Sequence, residues 1–198
     1  MVKINNKVGF NPLMIVAADL LLPSLNNQTK NFLLSDISIV ALKAIAYSMY
    51  NYIDLVPTHT GKTIDYLVGI PEKGMLLTEI ISSISNIPII NLFEIEYVDG
   101  TKTLKPSPYI EKNLNKNIYI IDDTSNYPVG QIQKAANYFD CNILGYQVIL
   151  GNDEMENTRK QQYKDFGLAT LPLFTIESLI KYYQDNKMIK YWMKKIKS

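Results

Sequence analysis

The feature that most constrains the fold of this chain is a short apolar run that ends in two adjacent acids. Residues 118–121 are apolar or aromatic, and Asp122 and Asp123 follow them directly. A helix is predicted soon afterwards, over residues 129–139. An uninterrupted apolar strand that leads into a helix is typical of a parallel sheet, whose strands are buried on both faces. We therefore expect both acids at the carboxyl end of a central strand, facing a pocket, because ligands of open α/β sheets bind there.

The same alternation of strands and helices extends along most of the chain. Residues 1–34 are predicted to be irregular, and residues 56–63 and 97–116 to be loops. Ser35 is predicted to cap the first helix. The pattern predicts a single α/β domain over residues 1–198, with a central, mostly parallel sheet flanked by helices. The predicted strands are 64–68, 88–92, 118–121, 142–150 and 171–174, and the predicted helices are 35–53, 75–85, 129–139, 156–166 and 177 onward.

The charge balance and the cysteine content argue against several classes of protein. Lysine and arginine number 20 against 19 acidic residues, so nothing indicates a general affinity for nucleic acid or membrane. Cys141 is the only cysteine, and the apolar stretch 13–22 is too short to span a bilayer, so we expect a cytoplasmic protein. The only arginine is Arg159, and phosphate binding must therefore rely on lysine and on backbone amides.

A second predicted strand end carries a turn with glycine on both sides. Gly69 and Gly74 enclose Glu72 and Lys73 between a strand and a helix. Glycine lets the backbone approach an anion, the start of a helix offers free amides, and Lys73 adds positive charge. The segment is either an anion site or an ordinary turn with a surface lysine.

The acid pair also admits two interpretations. The carboxylates of Asp122 and Asp123 can hold ribose hydroxyls or a metal-bound sugar, and the loop that follows them suits a phosphate because a helix begins there. Alternatively, Asp123 caps the helix and Asp122 is a solvated strand end. The order of strand, acid pair, hydroxyl-bearing loop and helix favours the first interpretation.

Three other features suggest function more weakly. Residues 58–63 look like the end of a nucleotide P-loop, but the first glycine is missing and a strand follows. His59 is the only histidine, so a multi-histidine metal site cannot form. The basic tail, residues 187–198, docks Trp192 on its own domain or on a second copy, or else binds a membrane or an acidic partner.

Taken in order, these segments resemble the type I phosphoribosyltransferases, and among them the orotate phosphoribosyltransferases. The similarity covers residues 32–180. It implies that Asp122 and Asp123 bind the ribose hydroxyls. The residues implied in binding pyrophosphate with Mg²⁺ are Glu72, Lys73 and Gly74, and those implied in cradling the 5′-phosphate are Thr124, Ser125, Asn126, Tyr127, Val129 and Gly130.

The chain departs from this family's pattern in three places. After the predicted strand that ends at Leu150, Gly151 and Asn152 stand where the orotate enzymes carry an Asp-Arg pair that helps to hold the orotate site. In the phosphate loop Tyr127 is bulky, and Pro128 has no N–H to donate. Where the orotate enzymes carry cations, residues 93–99 are apolar, acidic or aromatic, and the next cations along the chain are Lys102 and Lys105. If the chain is an enzyme, one of these two lysines is expected to reach an active site, its own or that of a dimer partner.

The resemblance implies a cytoplasmic homodimer that transfers a phosphoribosyl group from phosphoribosyl diphosphate to a nucleobase and releases pyrophosphate, as in pyrimidine nucleotide synthesis. Its ligands would be phosphoribosyl diphosphate or a nucleoside monophosphate, a nucleobase and Mg²⁺. Catalysis would involve Asp122, Asp123, Lys102 and Lys105. The alternatives are an enzyme acting on another base, and a non-catalytic sensor or partner subunit that binds phosphoribosyl diphosphate or a nucleotide.

Overall fold

The structure is a computed structural model that describes residues 12–21, 37–124, 129–151 and 170–186. None of the helices in these ranges is long and apolar enough to cross a membrane. In chain order the elements are α1 Pro12–Leu21, α2 Ile39–Ile53, α3 Val56–Thr60, β1 Tyr66–Gly69, α4 Lys73–Ser85, β2 Phe93–Val98, β3 Thr101–Pro106, β4 Asn117–Thr124, α5 Val129–Asn137, β5 Asn142–Gly151, β6 Thr170–Thr175 and α6 Ile176–Asp185.

Four of the strands form one parallel sheet in the order β1-β4-β5-β6. The predicted strand 88–92 is reduced to a single parallel bridge between Ile89 and Leu67 of β1. Strands β4 and β5 lie in the middle of the sheet, which is why their sequences are nearly continuous apolar runs. The predicted fold class, a mostly parallel sheet flanked by helices, is confirmed.

Helices cover both faces of the sheet, and alternate residues of β4 point to different cores. Tyr119 and Ile121 belong to a core that includes residues of α1, α2, α4 and α6. Ile118 and Ile120 belong to the opposite core, which includes Ile132 and other residues of α5. The alternation follows from the two-residue period of a strand, and it accounts for the apolar or aromatic side chains at all four positions from 118 to 121.

The prediction of an exposed loop over residues 97–116 is wrong for its first half. Strands β2 and β3 form a separate antiparallel hairpin, with Phe93 opposite Pro106 and Val98 opposite Thr101. Asp99 and Gly100 form the two-residue turn, both with positive φ, as Asp-Gly does in tight hairpins. The hairpin was missed because most of its residues are polar or exposed, and only a few side chains are buried.

The amino-terminal prediction also needs correction. Within the segment predicted to be irregular, residues 12–21 form α1, and its buried residues Met14, Ala17, Ala18 and Leu21 follow helical spacing. The cap of α2 is Ser38 instead of Ser35, since the Ser38 hydroxyl accepts a hydrogen bond from the Ala41 amide at 3.2 Å.

One further difference concerns the predicted loop 56–63. A short helix, α3, occupies part of the predicted loop 56–63. The predicted helix 156–166 and the basic tail 187–198 lie outside the described residues.

Gly145 of β5 provides a test of the core. A Cβ atom there would lie 3.0 Å from ring atoms Cδ2 and Cζ of Tyr119 and closer still to Cε2. The Gly145→Ala variant is therefore expected to lose about 1–3 kcal/mol of unfolding free energy in urea denaturation, because both groups are buried. Adding Tyr119→Leu should restore part of the loss, whereas fully additive effects of the two substitutions would contradict the packing.

Candidate functional site

The turn between β1 and α4 lies directly on the backbone of β4, where the acid pair begins. The amide of Ile70 donates a hydrogen bond to the carbonyl oxygen of Ile121 at 2.9 Å. At Gly74, a Cβ atom would lie 2.5 Å from the same oxygen and 3.1 Å from Cα of Asp122. Glycine is therefore required at position 74 by this close approach. The sheet thus brings together two segments that are about fifty residues apart in the sequence.

The backbone of the turn is strained at Glu72. This residue has φ 77° and ψ −79°, a conformation that costs a non-glycine residue about 1–3 kcal/mol. Glu72 is also the cap residue of α4, but its side chain makes no capping hydrogen bond, and Lys73 is the first residue of the helix. The first amides of α4 are therefore not covered by the Glu72 carboxylate, and such amides favour an anion.

The acid pair lies at the carboxyl end of the central strand, as predicted, although both residues belong to β4 instead of following it. Their side chains are buried, with exposed fractions of 3% for Asp122 and 2% for Asp123. Asp122 accepts hydrogen bonds from the Asp123 amide at 2.8 Å and from the Tyr146 hydroxyl at 3.2 Å. The prediction that both acids face a pocket stays a prediction.

The electrostatic environment of Asp122 favours its neutral form. Burial raises the pKa of Asp122 well above the ordinary value of 3.8, and the charge of Asp123 and a hydrogen bond with its carboxyl group raise it further. The Asp123 amide and the Tyr146 hydroxyl act in the opposite direction because they stabilise the ionised carboxylate. A ligand that supplies a cation or hydroxyl donors at this point would stabilise the ionised form in the same way.

Only part of the predicted 5′-phosphate cradle falls within the described residues. Thr124 is the last residue of β4, and Val129 and Gly130 are the first two residues of α5. Residues 125–128 lie outside the described ranges. The predicted cradle therefore lies between the end of β4, which carries the acid pair, and the start of α5 in the sequence.

The hairpin brings one of the two candidate lysines to the turn. Lys102 Nζ donates a hydrogen bond to Glu72 Oε2 at 2.7 Å, across thirty positions of sequence. Tyr97 is paired with Lys102 in the hairpin, and the Nζ atom lies 5.7 Å from the centre of its ring. The hydrogen bond to Glu72 raises the pKa of Lys102, so this side chain is positively charged at neutral pH.

The other candidate, Lys105, lies on the opposite face of the hairpin, because the two lysines are three positions apart on one strand. Its Nζ atom is 3.7 Å from Glu96 Oε1 and 3.9 Å from Glu94 Oε2. These longer ion pairs are within the hairpin, and none of the ion pairs found among the described residues links Lys105 to the turn.

A second contact attaches the hairpin to the helix that follows the acid pair. The amide of Leu104 donates a hydrogen bond to Gln131 Oε1 at 3.3 Å, in the first turn of α5. The hairpin therefore touches both segments that border the acid pair. Sequence reasoning missed Tyr97, Gln131 and Tyr146 as neighbours of the site. For Tyr97, the available signal was the Asp99-Gly100 turn that specifies the hairpin.

The arrangement combines three chemical elements at one edge of the sheet. Buried carboxyl groups at the end of β4 can accept hydrogen bonds from hydroxyl groups. The amides at the start of α4 and the ammonium group of Lys102 favour a polyanion beside them. Among the described residues, no cluster of three or more histidine, cysteine or acidic side chains could hold a metal ion by itself.

Solved structures share this architecture, although no protein-family model and no curated protein matches the sequence. Orotate phosphoribosyltransferase of Francisella tularensis is 15% identical, with a TM-score of 0.56 and coverage of 98% of each chain. Adenine phosphoribosyltransferase of Trypanosoma brucei, solved with AMP, pyrophosphate and ribose 5-phosphate, is 13% identical with a TM-score of 0.58; coverage is 86% of this chain and 82% of that one.

UMP synthase of Leishmania donovani is 12% identical, with a TM-score of 0.58 over 87% of this chain. The present chain spans 38% of the length of that protein. The property common to these comparisons is the order and packing of helices and strands around the parallel sheet. The chain has the fold of the type I phosphoribosyltransferases.

Proposed function

We propose that the chain binds phosphoribosyl diphosphate at the carboxyl edge of its sheet and transfers the phosphoribosyl group to a nucleobase. The observation that carries the proposal is the convergence of the turn, the acid pair and Lys102. Gly74 lies against the backbone at Asp122, and Lys102 reaches Glu72 of the same turn. The solved protein of the same fold that holds AMP, pyrophosphate and ribose 5-phosphate supports this choice of ligand.

In the proposed reaction, the bond between C1 of the ribose and the diphosphate oxygen breaks, and the electron pair leaves with pyrophosphate. A nitrogen of the base forms the new bond to C1 and gives up its proton to solvent. Asp122 and Asp123 accept hydrogen bonds from the ribose hydroxyls and hold the sugar in place. Lys102 and the first amides of α4 lie where negative charge increases on the leaving group, and they stabilise it there.

The residues fit a Mg²⁺ ion that arrives with the diphosphate. Mg²⁺ prefers oxygen ligands and is commonly held by one or two carboxylates together with phosphate oxygens. Asp122 and Asp123 provide two carboxyl groups at one strand end, and the described residues form no larger acidic cluster that would hold the ion alone. Bound Mg²⁺ would supply positive charge to the diphosphate, and the ion and the ribose hydroxyls would share the two carboxyl groups.

The base is a separate question, and orotate is one candidate among several. The positions at which the orotate enzymes carry cations fall in the hairpin here, at Phe93, Glu94, Tyr97 and Asp99. Gly151 and Asn152 replace the Asp-Arg pair that helps to hold orotate in those enzymes, which favours a base without a carboxylate. The missing cations of the hairpin support a second candidate function, a non-catalytic protein that binds phosphoribosyl diphosphate or a nucleotide as a sensor or partner subunit.

Calorimetric titration with phosphoribosyl diphosphate and Mg²⁺ tests the binding step, and a screen of bases for pyrophosphate release tests catalysis. Binding together with release on one base supports the enzyme. Binding without release on any base, orotate and adenine included, supports the sensor. Absence of binding in the presence of Mg²⁺ would refute both.

The two lysines of the hairpin provide a matched comparison for the enzyme. Lys102→Ala is expected to lower the rate of pyrophosphate release about tenfold, because a charge beside the leaving group is removed. Lys105→Ala removes the same charge from the opposite face of the same strand. The rate of pyrophosphate release by this variant is expected to stay within about twofold of the parent rate. Equal losses in the two variants would contradict the assignment of Lys102.

A further inference from the structure

The ion pair between the hairpin and the turn occupies the position that the proposed anionic ligand needs. Lys102 is the cation that the hairpin brings to the turn, and Glu72 already neutralises it at 2.7 Å. Glu72 is also the cap residue of α4, so its negative charge lies near the start of the helix where a diphosphate would bind, and it would repel such a ligand. A polyanion that binds there therefore competes with Glu72 for Lys102.

We propose that Glu72 is an internal competitor for the anionic ligand: its carboxylate holds Lys102, and diphosphate binds by displacing Glu72 from that lysine. This inference rests on the proposed function, because it assumes that the turn binds the diphosphate. It adds that Glu72 sets the affinity of the site and excludes anions too weakly charged to displace it.

The geometry permits such an exchange of partners. The side chains of Lys102 and Glu72 are 43% and 50% exposed, so a soluble anion can approach both. An exposed ion pair of this kind contributes little to stability and is screened by salt. The hydrogen bond between Leu104 and Gln131 is independent of charge and attaches the hairpin to α5 at another point. Lys102 can therefore change its partner while the base of the hairpin stays in place.

The opposite face of the hairpin offers a control of matched chemistry. Lys105 lies 3.9 Å from Glu94 and is likewise partly exposed, but this pair lies away from the turn. Neutralising Glu94 removes one acidic charge from the same hairpin without freeing a cation beside α4. Any effect of net charge alone would appear in both Glu72→Gln and Glu94→Gln.

The test is calorimetric titration of the full chain with inorganic pyrophosphate, with and without Mg²⁺. Glu72→Gln is expected to bind about fivefold more tightly than the parent, the size of effect that an exposed ion pair allows. Glu94→Gln is expected to bind as the parent does. In the double variant Glu72→Gln with Lys102→Ala, the gain should disappear because the lysine that would be released is missing.

Two results would overturn the inference while leaving the proposed function intact. One is pyrophosphate binding with no gain in Glu72→Gln. The other is a gain that persists without Lys102, since Glu72 would then act by simple repulsion. Absence of pyrophosphate binding in every variant would overturn the inference and the anion site together.

A measurement without ligand tests the contact itself. Amide hydrogen exchange of residues 97–102 is expected to become faster in Glu72→Gln than in Glu94→Gln, because only the first substitution replaces the ion pair between hairpin and turn by a weaker hydrogen bond to a neutral group. Equal exchange in the two variants would show that the ion pair does not hold the tip of the hairpin and would also overturn the inference.

Discussion

Replacing Gly74 by alanine is expected to lower the free energy of unfolding by about 3 kcal/mol and to abolish the binding of phosphoribosyl diphosphate. A Cβ atom would lie 2.5 Å from the carbonyl oxygen of Ile121 and 3.1 Å from Cα of Asp122. Both contacts are with the backbone of the central strand, which cannot move aside as a flexible side chain can. The turn must therefore shift away from the acid pair. Urea denaturation and calorimetric titration measure the two effects.

The matched control is Gly130→Ala. Gly130 is also the second residue of a helix that follows a strand of the sheet, but a Cβ atom there meets nothing within 4 Å. Because alanine favours a helix more than glycine does, this variant is expected to gain about 0.5–1 kcal/mol. A Gly74→Ala protein as stable as the parent would show that the turn does not lie against β4.

Replacing Asp122 by asparagine is expected to stabilise the protein at pH 7 by about 2 kcal/mol and to weaken the binding of phosphoribosyl diphosphate about 100-fold. Burial raises the pKa of Asp122, which means that its charged form is unfavourable in the folded state. Asparagine has nearly the same shape and no charge. The proposed ligand loses a carboxyl partner, whereas the free protein loses a carboxyl group whose charged form is unfavourable in the fold. A gain in stability together with a loss of binding is expected of a residue that serves binding at a cost in stability.

The sign of the pH dependence follows from the direction of this shift. Between the ordinary value of 3.8 and the raised pKa, the folded protein holds a proton on Asp122 that the unfolded chain has lost. The contribution of Asp122 to stability is therefore fully present below pH 3.8 and is lost as the pH rises through the raised pKa. The stability difference between Asp122→Asn and the parent should grow across this window and level off above it.

Asp140→Asn serves as the control for the same chemical change. Asp140 is exposed in the turn before β5 and has φ 54°, a conformation that asparagine also adopts readily. The free energy of unfolding of the Asp140→Asn variant is expected to differ from that of the parent by less than about 0.5 kcal/mol. Chemical denaturation between pH 3 and pH 8 gives the comparison, and an Asp122→Asn variant that is less stable than the parent at pH 7 would contradict the assignment.

The central part of the fold could be predicted from local patterns because each pattern has a local cause. The apolar runs of β4 and β5 reflect burial on both faces of the sheet, and the spacing of apolar residues in α4 reflects burial of one side of a helix. The exposed hairpin β2–β3 has no such run. The pairing of its two strands is specified by the Asp99-Gly100 turn. Its buried residues, such as Leu104, are too few to predict two strands from an apolar pattern.

The sequence also determined the two segments of the candidate site, the turn 69–74 and the acid pair, because each follows a strand of a parallel sheet. It could not distinguish Lys102 from Lys105. These residues carry the same group, and a shift of one position in the hairpin register would exchange the faces on which they lie. Only the tertiary structure places Lys102 beside Glu72, since that contact joins segments thirty positions apart.

The same reason applies to the two residues with the largest expected effects. In sequence, Gly74 and Gly130 are equivalent glycines near the starts of helices, but only Gly74 lies against the backbone of a neighbouring strand. Asp122 is recognisable in the sequence as an acid at a strand end. Its raised pKa, however, depends on burial, and its hydrogen bond with a side chain depends on Tyr146 of the adjacent strand. Local periodicity determined where the strands of the parallel sheet and helices α2, α4, α5 and α6 form. Contacts between distant segments, which no local pattern records, decided which of their residues form the candidate site.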